Sequence, residues 1–287
     1  MKRVIISADD FGLDRAVNDA VETAHRDGLL SSASLMVGEP DAADAIARAR
    51  GLPDLKVGLH IVLVEGTAVL PPEQIPDLVD AEGRFSSDMV ASGFRYFFRP
   101  GIRRQLAREI RAQFAAFART GLPLDHVNTH KHIHLHPTVA SLIIRIGREF
   151  GLQAMRLPVE PAAPLHAAEP GRRTGGLGDA ALRLWTRQLR WKLRRAGLTT
   201  NDQVFGLAWS GAMTEDRVLG LIPHLPDGVS EIYFHPAQES TPRLARTMPN
   251  YRHRDEFETL LSPRIHRALA QAGIVRTNYT ALAGRTG

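Results

Sequence analysis

Five of the twelve histidines in this chain fall between residues 125 and 137, in the run Asp-His-Val-Asn-Thr-His-Lys-His-Ile-His-Leu-His-Pro. Imidazole is the commonest metal-binding side chain, and it switches charge near neutral pH. Elsewhere, single chemical groups follow short apolar runs. Asp9 and Asp10 end the first such run, and His60 follows Gly58-Leu59. Arg156 precedes Leu157-Pro158, and His235 sits between Tyr233-Phe234 and Pro236. One carboxylate and two imidazoles make a metal-ligand set that leaves positions open for water and substrate. A metal held there acidifies its water and polarises a carbonyl. A second carboxylate off the metal can take the water's proton, and a histidine opposite can protonate a leaving amine. Adjacent aspartates suit the first two tasks, because neighbouring side chains diverge at a strand end. Each group alone has a plainer reading: a helix cap, a buried histidine bonded to its neighbours, an ion pair, a turn. Their joint placement is what points to a shared site.

The elements that would place them alternate along the chain. Short β-rich runs predict strands at 2–8, 32–37, 55–64, 124–130, 153–157, 203–208, 230–235 and 273–279. Helical spacing predicts a helix after Asp14, which is placed to cap it, and further helices at 41–50, 102–119, 138–150, 180–196, 214–225 and 255–272, the last despite Pro263. The stretches 159–178 and 238–251 read as loops. The Pro- and Gly-rich stretch 65–98 reads as an insertion over one mouth of the sheet. Seven or eight strand–helix units argue for an α/β fold of one domain, 1–287, closed as a distorted (β/α) barrel of seven to eight parallel strands. An open doubly wound sheet is the alternative, weakened by the lack of a Gly-x-Gly-x-x-Gly after the first strand. In a barrel the strand C-termini share one face, so Asp9, Asp10, His60, His130, Arg156 and His235 converge there.

With no cysteine, disulfides and thiolate metal sites are excluded. Met1-Lys2-Arg3 runs straight into an apolar stretch that acidic residues soon interrupt, so neither a signal peptide nor a membrane span is expected. The expected location is the cytoplasm. The formal charge of +5 is uneven: residues 171–195 hold eight basic and one acidic side chain, while the remainder is about −2. This patch lacks a nucleic-acid recognition module, so no nucleic-acid partner is expected. Helix 180–196 sets Leu182, Trp185, Leu189 and Leu193 on one stripe, with Arg183, Arg187, Arg190, Lys192, Arg194 and Arg195 around it. It reads either as a barrel helix with solvated arginines or as a surface that rests peripherally on the inner membrane face.

The motifs Ala8-Asp9-Asp10-Phe11-Gly12, Gly58-Leu59-His60, Thr129-His130-Lys131-His132-Ile133-His134, Arg156-Leu157-Pro158 and Tyr233-Phe234-His235-Pro236 resemble, in this order, those of the YdjC-like carbohydrate deacetylases. That family is related in architecture to the polysaccharide deacetylases. The resemblance spans residues 3 to about 240. It implies hydrolysis of the acetamide of an N-acetylated amino sugar with one divalent ion, magnesium or zinc. It implies Asp10, His60 and His130 as metal ligands, Asp9 as general base, His235 as general acid, and Arg156 as the residue that orients Asp9. His132 and His134 are expected in the supporting shell or the sugar-binding pocket. The segments Gly206-Leu207-Ala208-Trp209-Ser210-Gly211 and Glu231-Ile232-Tyr233-Phe234-His235-Pro236 are similar to the branch associated with hopanoid biosynthesis, which implies an N-acetylglucosaminyl hopanoid substrate. Soluble chito-oligosaccharides are the alternative substrate, and a non-catalytic carbohydrate- or lipid-binding barrel is the alternative function. The oligomeric state is open, a homodimer included.

Overall fold

A computed structural model describes residues 1–171 and 177–284 of the chain. Its first strand, β1 (Lys2–Phe11), has eight of ten residues buried, as expected of a parallel strand covered on both faces. In chain order there follow α1 (Arg15–Arg26), β2 (Ser32–Leu35), α2 (Ala42–Arg50), β3 (Lys56–Ile61), α3 (Met89–Phe98), α4 (Pro100–Arg119), β4 (Val127–Thr129) and α5 (Pro137–Glu149). The second half contributes α6 (Ala162–Ala168), α7 (Leu177–Arg195), β5 (Gln203–Phe205), α8 (Glu215–Leu221), β6 (Gly228–Phe234), α9 (Pro242–Thr247), α10 (His253–Leu260), α11 (Pro263–Gln271), β7 (Val275–Arg276) and α12 (Tyr279–Ala283). Asp14 caps α1 as the sequence suggests, its side chain accepting from Ala16 N.

The strands pair in parallel in the order β4-β3-β2-β1-β6-β5, with β7 added beside the start of β1. The sheet curls into a distorted (β/α) barrel. The expected strand at 153–157 is not a regular strand. It is an extended segment holding isolated parallel bridges, Val127 to Met155 and Ala154 to Thr199. That segment spans the gap between β4 and the approach to β5, and further on Val204 N donates to Val159 O at 2.8 Å. The barrel is therefore closed by a few backbone hydrogen bonds on this side.

Four other expectations are corrected. The helix expected at 255–272 is two helices. Pro263 has no N–H to continue a helix, and the Ser262 hydroxyl instead caps a new one, accepting from Arg264 N and Ile265 N. The helix expected at 214–225 leaves α geometry at Leu221, before Pro223, and ends in a 3-10 turn, Ile222–His224. The loops at 159–178 and 238–251 contain α6 and α9, while residues 172–176 lie outside the described residues. The strand expected to run to His130 stops at Thr129, because His130–Leu135 form 3-10 turns with left-handed backbone at Lys131 (φ 53°) and His132 (φ 52°).

The insertion at 65–98 is tied to the body through buried carboxylates. Glu109 accepts from Val69 N and Leu70 N, and Glu39 from Thr67 N. On α7, Leu189 and Leu193 are buried, but Trp185 of the expected core stripe is 42% exposed. Leu184 and Trp191 on the same helix are exposed as well. The side chains of Leu182 and Arg183 lie outside the described residues.

Candidate active site

β1 and β6 run side by side in register, Ser7 opposite Tyr233 and Ala8 opposite Phe234. Side chains two apart on a strand share a face. Ser7 and Asp9 on β1 thus share a face, as do Glu231, Tyr233 and, just past its end, His235 on β6. Asp10 would point away, but the pairing of β1 with β2 shifts register between Ala8 and Phe11, and Asp10 adopts φ 64°. This bulge re-aims the side chain. Aspartate tolerates the left-handed region better than most residues.

Asp10 Oδ1 then lies 3.3 Å from His60 Nε2 and 3.1 Å from His130 Nδ1. The two rings meet edge to face, with centroids 5.6 Å apart. All three residues are buried, and their ligand atoms lie within 4.8 Å of one another. Asp10 Oδ2 and His60 Nε2 are buried without a hydrogen-bond partner. Orphaned buried polar atoms are costly, and one oxygen with two imidazole nitrogens is a fitting donor set for a divalent cation. The residues present therefore fit a metal. Burial opposes the charge on Asp10, yet His130 and His60 outweigh it and hold its carboxyl well below the usual range.

Asp9 is held differently. Arg156 grips both of its oxygens, Nη1 to Oδ2 at 2.5 Å and Nη2 to Oδ1 at 3.0 Å. Asn128 Nδ2 adds a third bond to Oδ1 at 2.9 Å. Burial again works against the charge, and Arg156 together with His60 overrides it, keeping Asp9 ionised far below ordinary carboxylate pKa values. Arg156 itself has no exposed surface and turns its remaining donors to Glu231 and Ser7. Its guanidinium lies 4.7 Å over the ring of Tyr233.

His235 stands between Tyr233 and Tyr251, with ring centroids 5.5 and 5.0 Å away. Burial pushes its pKa down to about 4. Its backbone N–H donates to Glu256, a fully buried carboxyl whose pKa burial raises to about 7. His132 lies at 3.1 Å from the Tyr233 hydroxyl. His134 has no exposed surface, and its Nδ1 meets Thr129 Oγ1 at 2.7 Å, a position that fits support of the pocket wall.

Residues 3–271 match the YdjC-like protein family. The chain belongs to the YdjC-like family. Two relatives named carbohydrate deacetylase align along nearly their whole length. One, from Geobacillus stearothermophilus, is 28% identical over 96% of each chain. The other, from Thermoanaerobacter pseudethanolicus, is 25% identical over 98% of this chain and 100% of its own. A third, from Brevibacillus brevis, is 35% identical over 55% of this chain, and the match spans 58% of that protein. Among solved structures, a candidate cellobiose-phosphate cleavage protein from Enterococcus faecalis V583 superposes with TM-score 0.77 at 24% identity, over 98% of both chains. It shares the fold.

Of the residues singled out from the YdjC-like motifs, Asp9, Asp10, His60, His130, Arg156 and His235 all surround one site. Asn128, Glu231 and Glu256 are additions that sequence reasoning missed. For the first two a signal existed. Asn128 alternates with His126 and His130, and Glu231 with Tyr233 and His235, so each shares a strand face with a residue already chosen. Glu256, on a polar helix, gave no such sign.

Proposed function

We propose that this protein removes the N-acetyl group from an amino-sugar glycoconjugate with the help of one divalent metal ion. The observation that carries this reading is the buried Asp10–His60–His130 cluster, with unpartnered ligand atoms beside a separately clamped Asp9. The relatives named carbohydrate deacetylase support it. In this reading Asp10, His60 and His130 hold the ion, which polarises the acetamide carbonyl and acidifies water. Asp9, fixed by Arg156 and Asn128, takes a proton from the attacking water. The proton taken by Asp9 passes to His235, which is neutral at rest, and His235 delivers it to the nitrogen as the C–N bond breaks, leaving Asp9 ionised again. Acetate and a free amine are the products. Tyr233 and His132 form the nearby wall for the sugar, and His134 supports it.

The test is release of free amine from diacetylchitobiose and from an N-acetylglucosaminyl lipid, with and without chelator. Activity is expected to vanish with chelator and return with magnesium or zinc. Full activity in chelator refutes the metal-dependent reading, and no amine from either substrate refutes deacetylation of amino sugars.

Exposed Leu184, Trp185 and Trp191 favour a lipid-linked substrate, with an N-acetylglucosaminyl hopanoid as the specific candidate. The ring of Trp185 meets that of His136, in the same block as His130, with centroids 6.1 Å apart. Basic residues on α7 complement anionic headgroups. No helix among the described residues is long and apolar enough to cross a membrane. The contact in this reading is peripheral, at the inner membrane face. Co-sedimentation with anionic vesicles at moderate salt is expected, and its loss in Trp185→Ser/Trp191→Ser. Absence of binding at low salt, with turnover of the soluble disaccharide alone, refutes this second reading.

A further inference from the structure

The hydrogen bonds behind His60 determine where its proton sits. Asp9, as a carboxylate, only accepts, so Asn128 must turn Nδ2 toward it, at 2.9 Å. Asn128 Oδ1 then faces His60 Nδ1 at 2.7 Å, and that nitrogen must carry the proton. The second hydrogen of Asn128 Nδ2 goes to Ser34 Oγ at 2.9 Å. Ser34 in turn donates to His126 Nε2 at 3.1 Å, which leaves the His126 proton on Nδ1, directed at Asp125 Oδ2 at 2.9 Å. The chain thus runs between two carboxylates, and one set of proton positions satisfies both ends. With the His60 ring neutral, it leaves Nε2 without the proton and facing Asp10.

The far end is held by the C-terminal segment. Thr280 donates to Asp125 Oδ1 twice, from N at 2.7 Å and from Oγ1 at 2.6 Å. Tyr279 stacks on the His126 ring, centroids 4.8 Å apart, and donates to Glu231 Oε2 at 2.7 Å, on the partner of Arg156. Both residues lie beyond the stretch 3–271 that carries the family match. Val275 and Arg276 seat the segment by pairing with Arg3 and Val4 of β1.

We propose that the C-terminal segment, residues 275–283, is a positioning element of the metal site: Thr280 fixes Asp125, and this pair, through His126 and Ser34, braces the Asn128 amide that Asp9 orients, which holds His60 in the tautomer whose Nε2 is free to bind a cation. The cation part rests on the reading of Asp10, His60 and His130 as ligands. The tautomer part is independent of it and is read from the protein alone.

Long-range 15N–1H correlation spectra of 15N-histidine protein, metal-free at pH 8.5 and zinc-loaded, report the protonated nitrogen of each ring. Single His→Gln variants assign them. In the wild type, His60 and His126 are expected to be protonated on Nδ1. In Asp125→Asn the amide oxygen stays with the two Thr280 donors and the amide N–H faces His126 Nδ1, so the His126 proton is expected to move to Nε2. Calorimetric titration with zinc is expected to show affinity about 10-fold weaker in Asp125→Asn, with a smaller loss in Thr280→Val, while melting temperatures change little. Should Asp125→Asn fail to fold, Thr280→Val decides, because it keeps the backbone bond to Asp125. A wild-type His60 protonated on Nε2 overturns the proposal. So do variants that leave both rings and the zinc affinity unchanged. A wild type that binds no zinc instead defeats the metal reading, and the ring assignments still decide the tautomer claim.

Discussion

Arg156 and Glu231 are joined by two parallel hydrogen bonds, Nε to Oε2 at 2.9 Å and Nη2 to Oε1 at 2.8 Å, with neither side chain exposed. Arg156 also grips Asp9, so one guanidinium balances two buried carboxylates. Removing one member of a buried charge network leaves the others unpaired, which costs about 3–5 kcal/mol. Arg156→Met is therefore expected to lose that much stability in urea unfolding. Arg156→Lys is expected to recover part of the stability and little activity, since an ammonium cannot fork to two carboxylates.

Replacing Asp10, His60 or His130 by alanine is expected to weaken zinc binding roughly 100-fold or more, beyond the 10–100-fold typical of supporting residues. Calorimetry on the metal-free protein measures this directly. An alanine variant that binds zinc as tightly as the wild type removes that residue from the ligand set.

The pH dependence of activity distinguishes two roles for His235. Its pKa of about 4 makes it neutral through the physiological range. If it enters the cycle neutral, kcat/KM does not fall between pH 5.5 and 8 on its account. If it must enter charged, the rate drops tenfold for each pH unit in that window. The flat profile is expected. His235→Gln is expected to lose about 100-fold or more in kcat.

Stability should fall in acid, and His134 is one reason. Burial, with Arg156 nearby, lowers its pKa to about 3, against 6.5 when unfolded. The unfolded chain takes up this proton first. The contribution of neutral His134 is therefore complete above pH 6.5 and is lost progressively as the pH falls toward 3, by about 5 kcal/mol in all. Unfolding free energies measured between pH 7 and 4 are expected to decline less steeply in His134→Gln.

Gly58 is predicted to tolerate no side chain. A Cβ there would lie 2.5 Å from His126 Cε1. The ring is bonded at both nitrogens and stacked on Tyr279, so it has little room to give. Gly58→Ala is expected to cost about 1–3 kcal/mol by thermal or chemical unfolding, with weaker zinc binding beside it.

Much of this was legible in the sequence, for identifiable reasons. β1, β3 and β6 are apolar runs ending in a charged or imidazole group, so their ends marked the site. The extended stretch 153–157 has the same local character as a strand, yet it makes only isolated bridges, and register is a property of its neighbours. The histidine block suggested alternation along a strand. Left-handed backbone at Lys131 and His132 breaks that alternation, and local propensity gives no notice of it. Asp9 and Asp10 diverge as expected of neighbours at a strand end, but a bulge and a positive φ, which local propensity does not announce, set their directions. Glu256 and Thr280 lie on helices far along the chain, and only the folded arrangement brings them to the site.

The order of the sheet bears on how the molecule forms. Asp10, His60 and His130 belong to the contiguous block β4-β3-β2-β1, built from the first half of the chain. Arg156, Glu231 and His235 arrive later, and β1 meets β6 across a separation as wide as Lys2 to Gly228. Near contacts close faster than distant ones. A refolding chain should therefore acquire its cation-holding half before its proton-handling half, and stopped-flow refolding would detect it as zinc capture that precedes the return of turnover.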